Sequence, residues 1–442
     1  MGAKLREPKS GVFWISRETE VVTAKSENRK RFELDCSIPI RDYQKQWFQG
    51  LRDRANSGQP FLIVEALTPH EIFEAFEIPF VTNEWWSGIV AYNRQSGYYF
   101  DVMEAAGYSR RLEYYPALSL AGAVDNGANP EPAWGGLPQP SLMVYGTSDG
   151  PRVELSERIA AVHGIPSFAL SVPDTGLPMP ARWWETSQRG WEQLSPTWQL
   201  DYVSQRYWAL IRELEVLADR RLNMDRLREV VDLANHQQQM FDEIRAIIAT
   251  SLATPIAMPE LLGNLLTLQW QRGTSWAAAQ ATRMRDEIKA RADAGHAVCA
   301  EERYRLGWVG AGMWQNTGFY RMFEESHGAV FVQNMYLSIA ADGYRRFGPD
   351  LVRALASRYC AFGLFAKDWP AREAQLARCD GVVTVRDSLD SMVRKAFERV
   401  NIPVLALDID LVDGRTWDEE AVRLAMDRFI AEELEPRRQA RG

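Results

Sequence analysis

The stretch LMVYGTSDGPRVELSERIAAVHGIP, Leu142 to Pro166, decides the fold class. An apolar run typical of a strand leads into a Gly-Thr-Ser-Asp-Gly turn, and an amphipathic helical pattern follows the turn. A strand followed directly by a helix is the building unit of parallel α/β sheets. Ligands of such sheets bind outside the carboxyl ends of the strands, so this turn is the first candidate functional segment.

Short apolar runs and helical segments alternate in two parts of the chain. The first part starts at about Pro60 and contains "PFLIVEA", "IPFVTNE", "PSLMVYGTS" and "IPSFALSVP". The second part starts after Arg303 and contains "YRLGWVGAG", "AVFVQNM", "DGVVTVRD" and "IPVLALDID". Strands separated by helices predict βαβ units and a mainly parallel sheet in each part.

Between these parts the sequence is helical in pattern. Long segments such as "PTWQLDYVSQRYWALIRELEVLADRRL" carry apolar residues at intervals of three and four, which is typical of helices with one buried face. We therefore predict an α/β fold with two doubly wound parallel-sheet lobes and a helical layer between them. The expected segments are an N-terminal extension (1–58), a first lobe (59–180), a helical region (181–300), a second lobe (301–435) and a tail (436–442).

The two lobes also resemble each other in sequence. "HGIPSFALSVPDTG", from His163, is similar to "VNIPVLALDIDLVDG", from Val400, and each follows a strand, a turn with a serine and an amphipathic helix. The turn serines are Ser148 and Ser388. This pattern indicates an internal duplication, and two facing lobes would bring both turns to one crevice.

Composition and charge exclude several classes of protein. Of the 442 residues 46% are hydrophobic and 25% are charged, as in globular proteins, and the net charge of −8 argues against an extended nucleic-acid surface. No apolar run reaches the ~18 residues of a membrane span, and the first residues lack the apolar core of a signal peptide. We expect a cytoplasmic protein with neither a nucleic-acid nor a membrane partner.

Eight segments, in this order along the chain, carry a family resemblance. They are "HEIFEAFEIPFVTNEWW", "AAGYSRRLEYYPALSLAGA", "LPQPSLMVYGTSDG", "GIPSFALSVP", "LNMDRLREVVDLAN", "HGAVFVQN", "LARCDGVVTVRDS" and "NIPVLALDIDLVDGR". Together they resemble the 2-hydroxyacyl-CoA dehydratase and benzoyl-CoA reductase subunit family, collinearly from about Pro60 to Leu434. The common order is more specific than any single segment.

The resemblance implies two flavodoxin-like lobes that hold an acyl-CoA thioester, and a homologous partner subunit in a heterodimer or heterotetramer. In the family, three cysteines bind a four-iron four-sulfur cluster that receives an electron from a separate ATP-hydrolysing activator. The electron then enters the thioester, which loses water, or an aromatic ring in the reductase branch. The resemblance thus implies a lyase or reductase of anaerobic metabolism.

This sequence has no cysteine at the three corresponding positions, which are Glu113, Ser148 and Ser388. Iron–sulfur clusters use thiolates, whereas serine hydroxyls are rarely deprotonated and carboxylates are hard ligands. We therefore expect no cluster and no other metal in this chain, and a cluster, if present, in the partner. The first interpretation is a cluster-free subunit; the alternatives are acid–base chemistry on an acyl-CoA and a non-catalytic acyl-CoA binder.

Acid–base chemistry would have Glu113, Ser148 and Glu84 as its candidate catalytic residues. Two tyrosines follow Glu113 and two tryptophans follow Glu84, and apolar surroundings of that kind raise the pKa of a carboxyl group. Glu113 could equally be an exposed loop residue, and Glu84 an acid at the start of a helix.

Substrate binding has its candidate residues in the two serine turns. The amide groups at a helix N-terminus bind anions, so a CoA phosphate or a thioester oxygen could bind there, although Ser148 or Asp149 could instead cap the helix. The candidates are Gly146, Thr147, Ser148, Asp149, Gly150 and Ser388.

Cysteine, histidine and tryptophan residues give weaker signals. Cys36, Cys299, Cys360 and Cys379 are far apart along the chain, and the five histidines lack metal-ligand spacing. Core or subunit packing is the default role of the 16 tryptophans, and an aromatic acyl group would suit a pocket that they line.

Overall fold

A computed structural model of the chain describes residues 34–109, 114–147, 150–175, 183–362, 368–385 and 391–440. These residues form two four-stranded sheets, both entirely parallel, and a large set of helices. The predicted fold class, α/β with two parallel-sheet lobes, is confirmed.

The first sheet has the strand order β2-β1-β3-β4. Side chains of the central strands alternate between two cores, as expected for a parallel sheet covered on both faces. Leu62 and Val144 face one core, while Ile63 and Met143 face the other. The strands are β1 (Leu62–Val64), β2 (Phe80–Thr82), β3 (Leu142–Gly146) and β4 (Ser167–Leu170).

The second sheet repeats this order as β6-β5-β7-β8. The segments "IPSFALS" and "IPVLALD", which the sequence pairs as repeats, hold β4 and β8, the last strands of their sheets. The equal strand order agrees with the internal duplication. The strands are β5 (Tyr304–Val309), β6 (Ala329–Asn334), β7 (Gly381–Val385) and β8 (Val404–Leu407).

Helices cover both sheets and fill the space between them. Up to the end of the first lobe they are α1 (Ser37–Asn56), α2 (His70–Ala75), α3 (Asn83–Tyr92), α4 (Ser96–Ala105), α5 (Tyr114–Asp125) and α6 (Gly150–His163). The helical layer contains α7 (Trp183–Thr186), α8 (Thr197–Ala218), α9 (Met224–Thr250), α10 (Met258–Trp270) and α11 (Ser275–Asp293).

The second lobe has a further set of helices. They are α12 (Glu324–His327), α13 (Met335–Gly343), α14 (Leu351–Phe362), α15 (Trp369–Leu376), α16 (Ser391–Arg399), α17 (Glu419–Phe429) and α18 (Glu435–Gln439). A π-helical turn (Ile430–Leu434) joins α17 to α18. Short 3₁₀ turns occupy Ala133–Gly135, Trp191–Gln193, Thr317–Arg321 and Gly414–Thr416.

Two helices tie the lobes together. Helix α14 comes late in the sequence, yet it packs on α8, and its Leu355 and Tyr359 belong to a core of the first sheet. Helix α1 contributes Ile40 to the core of the second sheet and Phe48 to that of the first. Each sheet therefore depends on residues that a linear division of the chain assigns elsewhere.

Ion pairs inside the protein join the helical layer to the second lobe. Arg245 of α9 donates to Asp342 of α13 at 2.9 Å and to Glu373 of α15 at 2.8 Å. The Trp369 indole N–H also donates to Asp342, at 2.9 Å. Because both carboxylates are almost fully buried, these contacts hold the three helices in one register.

Candidate functional site at the carboxyl end of the first sheet

A buried carboxyl group, Glu65, lies directly after β1, at the carboxyl end of the first sheet. Its Oε2 accepts the backbone N–H of Gly146 at 2.8 Å, and its Oε1 accepts the Ser156 hydroxyl at 3.2 Å. Gly146 ends the neighbouring strand β3 and Ser156 lies on α6, so Glu65 connects two strands and the helix after the glycine-rich turn. Glu65 was not among the residues predicted from the sequence.

The second carboxyl group, Glu84, was predicted, and it lies in the first turn of α3. The Thr82 hydroxyl caps this helix by accepting the Trp85 N–H. Glu84 Oε2 accepts the backbone N–H of Ala66 at 3.0 Å, and its Oε1 lies 3.7 Å from Arg152 Nη1. Glu84 is therefore both an acid at a helix start and a buried carboxylate beside Glu65. We call Glu65 and Glu84 the carboxyl pair.

Burial dominates the electrostatics of the carboxyl pair. Burial and, to a smaller extent, the negative charge of Glu84 raise the pKa of Glu65 to about 8. The Gly146 N–H, Arg152 and the Ser156 hydroxyl act in the opposite direction. Glu65 thus holds its proton at a pH at which an exposed glutamate is ionised.

Tyr115 and Tyr336 bring the second lobe to this site. Tyr115 lies on α5 of the first lobe, and Tyr336 lies on α13, just after the end of β6. Their hydroxyls are hydrogen-bonded to each other, and the Tyr336 oxygen also accepts the Gly312 N–H. Burial raises the pKa of Tyr336 to about 12, and the charge of Glu84 acts on both hydroxyls. We call Tyr115 and Tyr336 the tyrosine pair.

Gly146 makes close contacts that a side chain would prevent. A Cβ atom at this position would lie 2.8 Å from Tyr359 Cζ, closer still to the Tyr359 hydroxyl, and 3.4 Å from Glu65 Oε2. Tyr359 comes from α14, so the bare backbone at 146 lets the helix from the second lobe approach the strand end. This glycine is a steric requirement of the site.

A network of buried charges lies next to the site. Glu71 Oε1 accepts from Arg272 Nε at 3.0 Å and from Arg358 Nη1 at 2.7 Å, with all three side chains buried. Both guanidinium groups also stack on the Tyr344 ring. One carboxylate therefore joins three parts of the chain: helix α2, helix α14 and the segment that follows α10. This network lies next to Glu65, because the ring of His70 bridges Arg272 and the Glu65 carbonyl.

The residues predicted from the sequence are only partly described. Glu113, Ser148, Asp149 and Ser388 lie outside the described residues, and Gly146, Thr147, Gly150 and Glu84 lie within them. Tyr115, two residues after Glu113, and Gly146, two residues before Ser148, belong to the site formed by the carboxyl and tyrosine pairs. Ser388 follows β7, a central strand of the second sheet.

The amides at the start of the glycine-rich turn already have partners. The Gly146 N–H donates to Glu65, and the Thr147 N–H donates to the Leu170 carbonyl at 3.2 Å. Neither is available for a CoA phosphate in this arrangement. The first residue of α6, Gly150, is exposed.

The thiols of the chain do not suit an iron–sulfur cluster. All four cysteines are at most 7% exposed. Burial raises the pKa of every thiol, that of Cys36 to about 12 and that of Cys360 to about 11. Cys299 donates its S–H to the Glu324 carbonyl. A cluster needs thiolates, and burial keeps these groups in the protonated thiol form.

The tryptophan doublets serve mainly to fill cores. Trp85 and Trp86 pack on Phe48 of α1, and their ring centroids lie 5.2 and 5.7 Å from the Phe48 centroid. Trp183 packs on Trp369 at 5.5 Å. These contacts match the default role of core packing.

No helix among the described residues has the length and hydropathy needed to cross a membrane. Within the same residues, no three His, Cys, Asp or Glu side chains are close enough to hold a metal ion. A comparison with curated proteins finds no match. Residues 66–431 match the family described as "2-hydroxyglutaryl-CoA dehydratase, D-component", and because this match covers most of the sequence, the chain belongs to the 2-hydroxyglutaryl-CoA dehydratase D-component family.

Proposed function

We propose that this chain is an acyl-CoA-handling component that carries no iron–sulfur cluster and works with a homologous subunit. The observation that carries the proposal is the replacement of all three expected cysteines, by Glu113, Ser148 and Ser388, in a chain that keeps the family's sequence order. The four thiols that the chain does possess are buried, and burial raises the pKa of each. A cluster, in this proposal, belongs to the partner.

The acyl-CoA thioester would bind where the two lobes meet. The carboxyl pair from the first lobe and the tyrosine pair from both lobes concentrate hydrogen-bonding groups at that place. A thioester carbonyl is a hydrogen-bond acceptor, and tyrosine hydroxyls or a protonated Glu65 can donate to it. The position also agrees with the general location of ligands at the carboxyl ends of parallel strands.

A second candidate function is acid–base chemistry by this chain itself. It is favoured by one observation, the raised pKa of Glu65 beside the carboxylate of Glu84. In many enzymes the acid and the base of one site are two carboxyl groups whose surroundings give them different pKa values. Simple acyl-CoA binding without catalysis would need neither an acid nor a base.

Purification from a native host tests the proposed function. We expect a homologous subunit to copurify as a heterodimer or heterotetramer, and anaerobic iron and sulfide analysis to find cluster iron only in samples that contain the partner. Stoichiometric iron and sulfide in this chain alone would contradict the proposal. A stable solitary chain with no copurifying homologue would also contradict it.

Ligand binding gives a second, independent test. Isothermal titration with an aliphatic and an aromatic acyl-CoA, carried out on the complex, should show binding that free acids do not compete away. Tyr336→Phe removes one hydroxyl of the site and should weaken binding by about tenfold, the effect of one lost hydrogen bond to a ligand oxygen. Tyr92→Phe, on the exposed end of α3, is the matched control and should bind like the unchanged chain.

A further inference from the structure

Helix α8 carries an exposed aromatic face. Of the tryptophans that the structure describes, only Trp198 and Trp208 are exposed, by 53% and 40%, and both are on α8. Tyr202, which is 40% exposed, and Val216, which is 82% exposed, lie on the same helix. Large apolar side chains grouped on one surface mark interaction sites, and tryptophan and tyrosine are enriched at the centres of protein interfaces. We call these four residues the α8 face.

The core of the first lobe uses the other side of α8. That side packs on α14 and belongs to a core of the first sheet. Its buried apolar residues are Leu200, Val203, Tyr207, Leu210, Ile211 and Leu214. The aromatic residues of the α8 face are therefore not needed to hold the helix on its own lobe, and their exposure has no explanation in the packing of the single chain.

The neighbouring edge of the first sheet is partly blocked. Strand β4 is the last strand of its sheet, and its Leu170 carbonyl accepts the Thr147 N–H from the β3 side. The Ala169 carbonyl, next in the alternation, therefore points outward. Arg206 of α8 donates to this carbonyl at 2.9 Å and stacks on the Phe168 ring. A partner would consequently bind the helix face and not extend the sheet.

The residues on the exposed side of α8 are complementary to the same residues in reversed order. Trp198 and Val216 are about five turns apart, so they lie on one line along the helix. Asp201 and Arg212 are about three turns apart and share a second line. Both pairs are centred about one residue before Trp208. A twofold axis at that point would place each member of a pair against the other member from a second copy, and the two Trp208 rings beside each other.

The charges on this side of α8 select the orientation of the second copy. Arg212 is exposed, and the side chain of Asp201 is 47% exposed. Arg353 of the same chain pairs with Asp201 Oδ1, so Oδ2 faces away from that contact. Two antiparallel helices bring Asp201 to Arg212 twice, whereas two parallel helices would set each charge against an equal one. The charge pattern therefore fits a second copy of this chain in the antiparallel orientation.

We propose that the α8 face joins two copies of this chain and so links two heterodimers into a heterotetramer. The heterotetramer rests on the proposed function, whereas the contact between the two copies does not require the homologous subunit. Helix α8 has 22 residues and is about 33 Å long. One helix face is smaller than the roughly 800 Å² per partner of a standard interface, so the chain alone should associate weakly, in the micromolar range.

Sedimentation velocity of the full chain over a range of concentrations tests the contact. Trp208→Glu removes both rings beside the twofold axis and puts two negative charges there, so self-association should weaken at least tenfold. Leu424→Glu is the matched control, because Leu424 is 50% exposed on α17, and it should associate like the unchanged chain. A chain that is monomeric at every concentration, or a Trp208→Glu variant that associates normally, would overturn the proposal.

Cross-linking tests the antiparallel register. The variants Trp198→Cys and Val216→Cys, mixed and treated with a short bis-maleimide, should give a cross-linked dimer. Neither variant alone should do so, because its two introduced thiols would be about 27 Å apart. The four natural cysteines are buried, and a mixture of Trp198→Cys with Leu424→Cys is the control for random collisions. Cross-links in each single variant, with none in the mixture, would contradict the antiparallel arrangement.

The assembled complex separates the two candidate occupants of the α8 face. With the homologous subunit present, Trp208→Glu should convert a heterotetramer into intact heterodimers. If Trp208→Glu instead releases the homologous subunit, the α8 face binds that subunit, and this proposal is wrong while the proposed function stands. If no homologous subunit copurifies, the proposed function fails, and the self-association of the chain alone still decides whether two copies meet at α8.

Discussion

Arg272 Nη1 lies 2.7 Å from His70 Nδ1, and this contact fixes the proton state of the histidine. A guanidinium has only donors, so Nδ1 must be the acceptor and the ring proton must be on Nε2. Nε2 lies 3.3 Å from the Glu65 carbonyl and donates to it. Neutral His70 therefore connects the buried charge network to the backbone of the carboxyl pair.

His70 should not titrate near neutral pH. Burial lowers its pKa well below 6.5, and the neighbouring Arg272 lowers it further. We expect its ring nitrogen NMR signals, assigned with His70→Asn, to stay in the neutral Nε2-protonated form from pH 8 to pH 5. Because the unfolded chain binds the proton more readily, this residue makes stability fall as pH drops below about 6.5. A midpoint near 6.5 in the folded protein would contradict the assigned contact.

Removing the charge of Glu71 should strongly destabilise the fold. Burial alone would raise the pKa of Glu71, but Arg272 and Arg358 outweigh it and hold that pKa far below its usual range. Glu71→Gln leaves two buried guanidinium groups without their carboxylate, and such losses cost about 3 to 5 kcal/mol of unfolding free energy. Urea denaturation at pH 7 measures the difference.

Glu74 provides a comparison on the same helix, α2. It is half-buried, and Arg226 lies 3.4 Å from it, too far to balance the effect of burial on its pKa. Glu74→Gln should therefore change the free energy of unfolding by less than about 1 kcal/mol. Equal losses in the two variants would show that the effect comes from α2 as a whole and not from the arginine contacts.

The regular elements of the fold were predictable because their signals are local. Strand and helix patterns alternate along the sequence, and the repeat that begins at His163 and at Val400 identifies the last strand of each sheet. The contact of α14 with the first sheet was not predictable in this way. It joins Tyr359 to Gly146, more than two hundred residues away, and the hydrophobic pattern of a sequence does not indicate such distant contacts.

Only part of the candidate site was predicted from the sequence. Glu84 was predicted because two tryptophans follow it, and the expected burial is observed, while its catalytic role stays a prediction. Glu65 was missed because "PFLIVEA" has the pattern of a simple buried strand. The usable signal was an acidic residue at the carboxyl end of that strand, where a parallel sheet places its ligands. Glu113, Ser148 and Ser388 stay predictions.

Adding one methyl group at Gly146 should disturb the contact with Tyr359. Gly146→Ala forces its Cβ into the Tyr359 hydroxyl and close to Cζ, and overpacking of this kind costs about 1 to 3 kcal/mol. Tyr359→Phe removes the oxygen, so the double variant should lose less stability than the sum of the single variants. A double-mutant cycle from denaturation curves measures this coupling. Strict additivity would show that the two residues do not meet as described.

The four thiols should be unreactive in the folded protein. Each is buried, and burial raises the pKa of each, so thiolate is scarce at neutral pH. Alkylation with iodoacetamide at pH 7.5, followed by mass spectrometry, should modify none of them within minutes, and all four after denaturation. Rapid modification of Cys360 or Cys379 in the folded chain would show that these residues are open to ligands.

Replacing Glu65 by glutamine should stabilise the protein in a pH-dependent way. The pKa of Glu65 is raised to about 8 in the folded state, against about 4.5 in the unfolded chain, so the folded state binds this proton more tightly. The contribution of Glu65 to stability is fully present below pH 4.5 and is lost as pH rises to 8. Glutamine remains neutral and still accepts the Gly146 N–H. Denaturation curves should therefore show Glu65→Gln close to the unchanged protein at pH 4.5, and more stable by a few kcal/mol at pH 8.5. The same difference at both pH values would mean that Glu65 does not carry the proton.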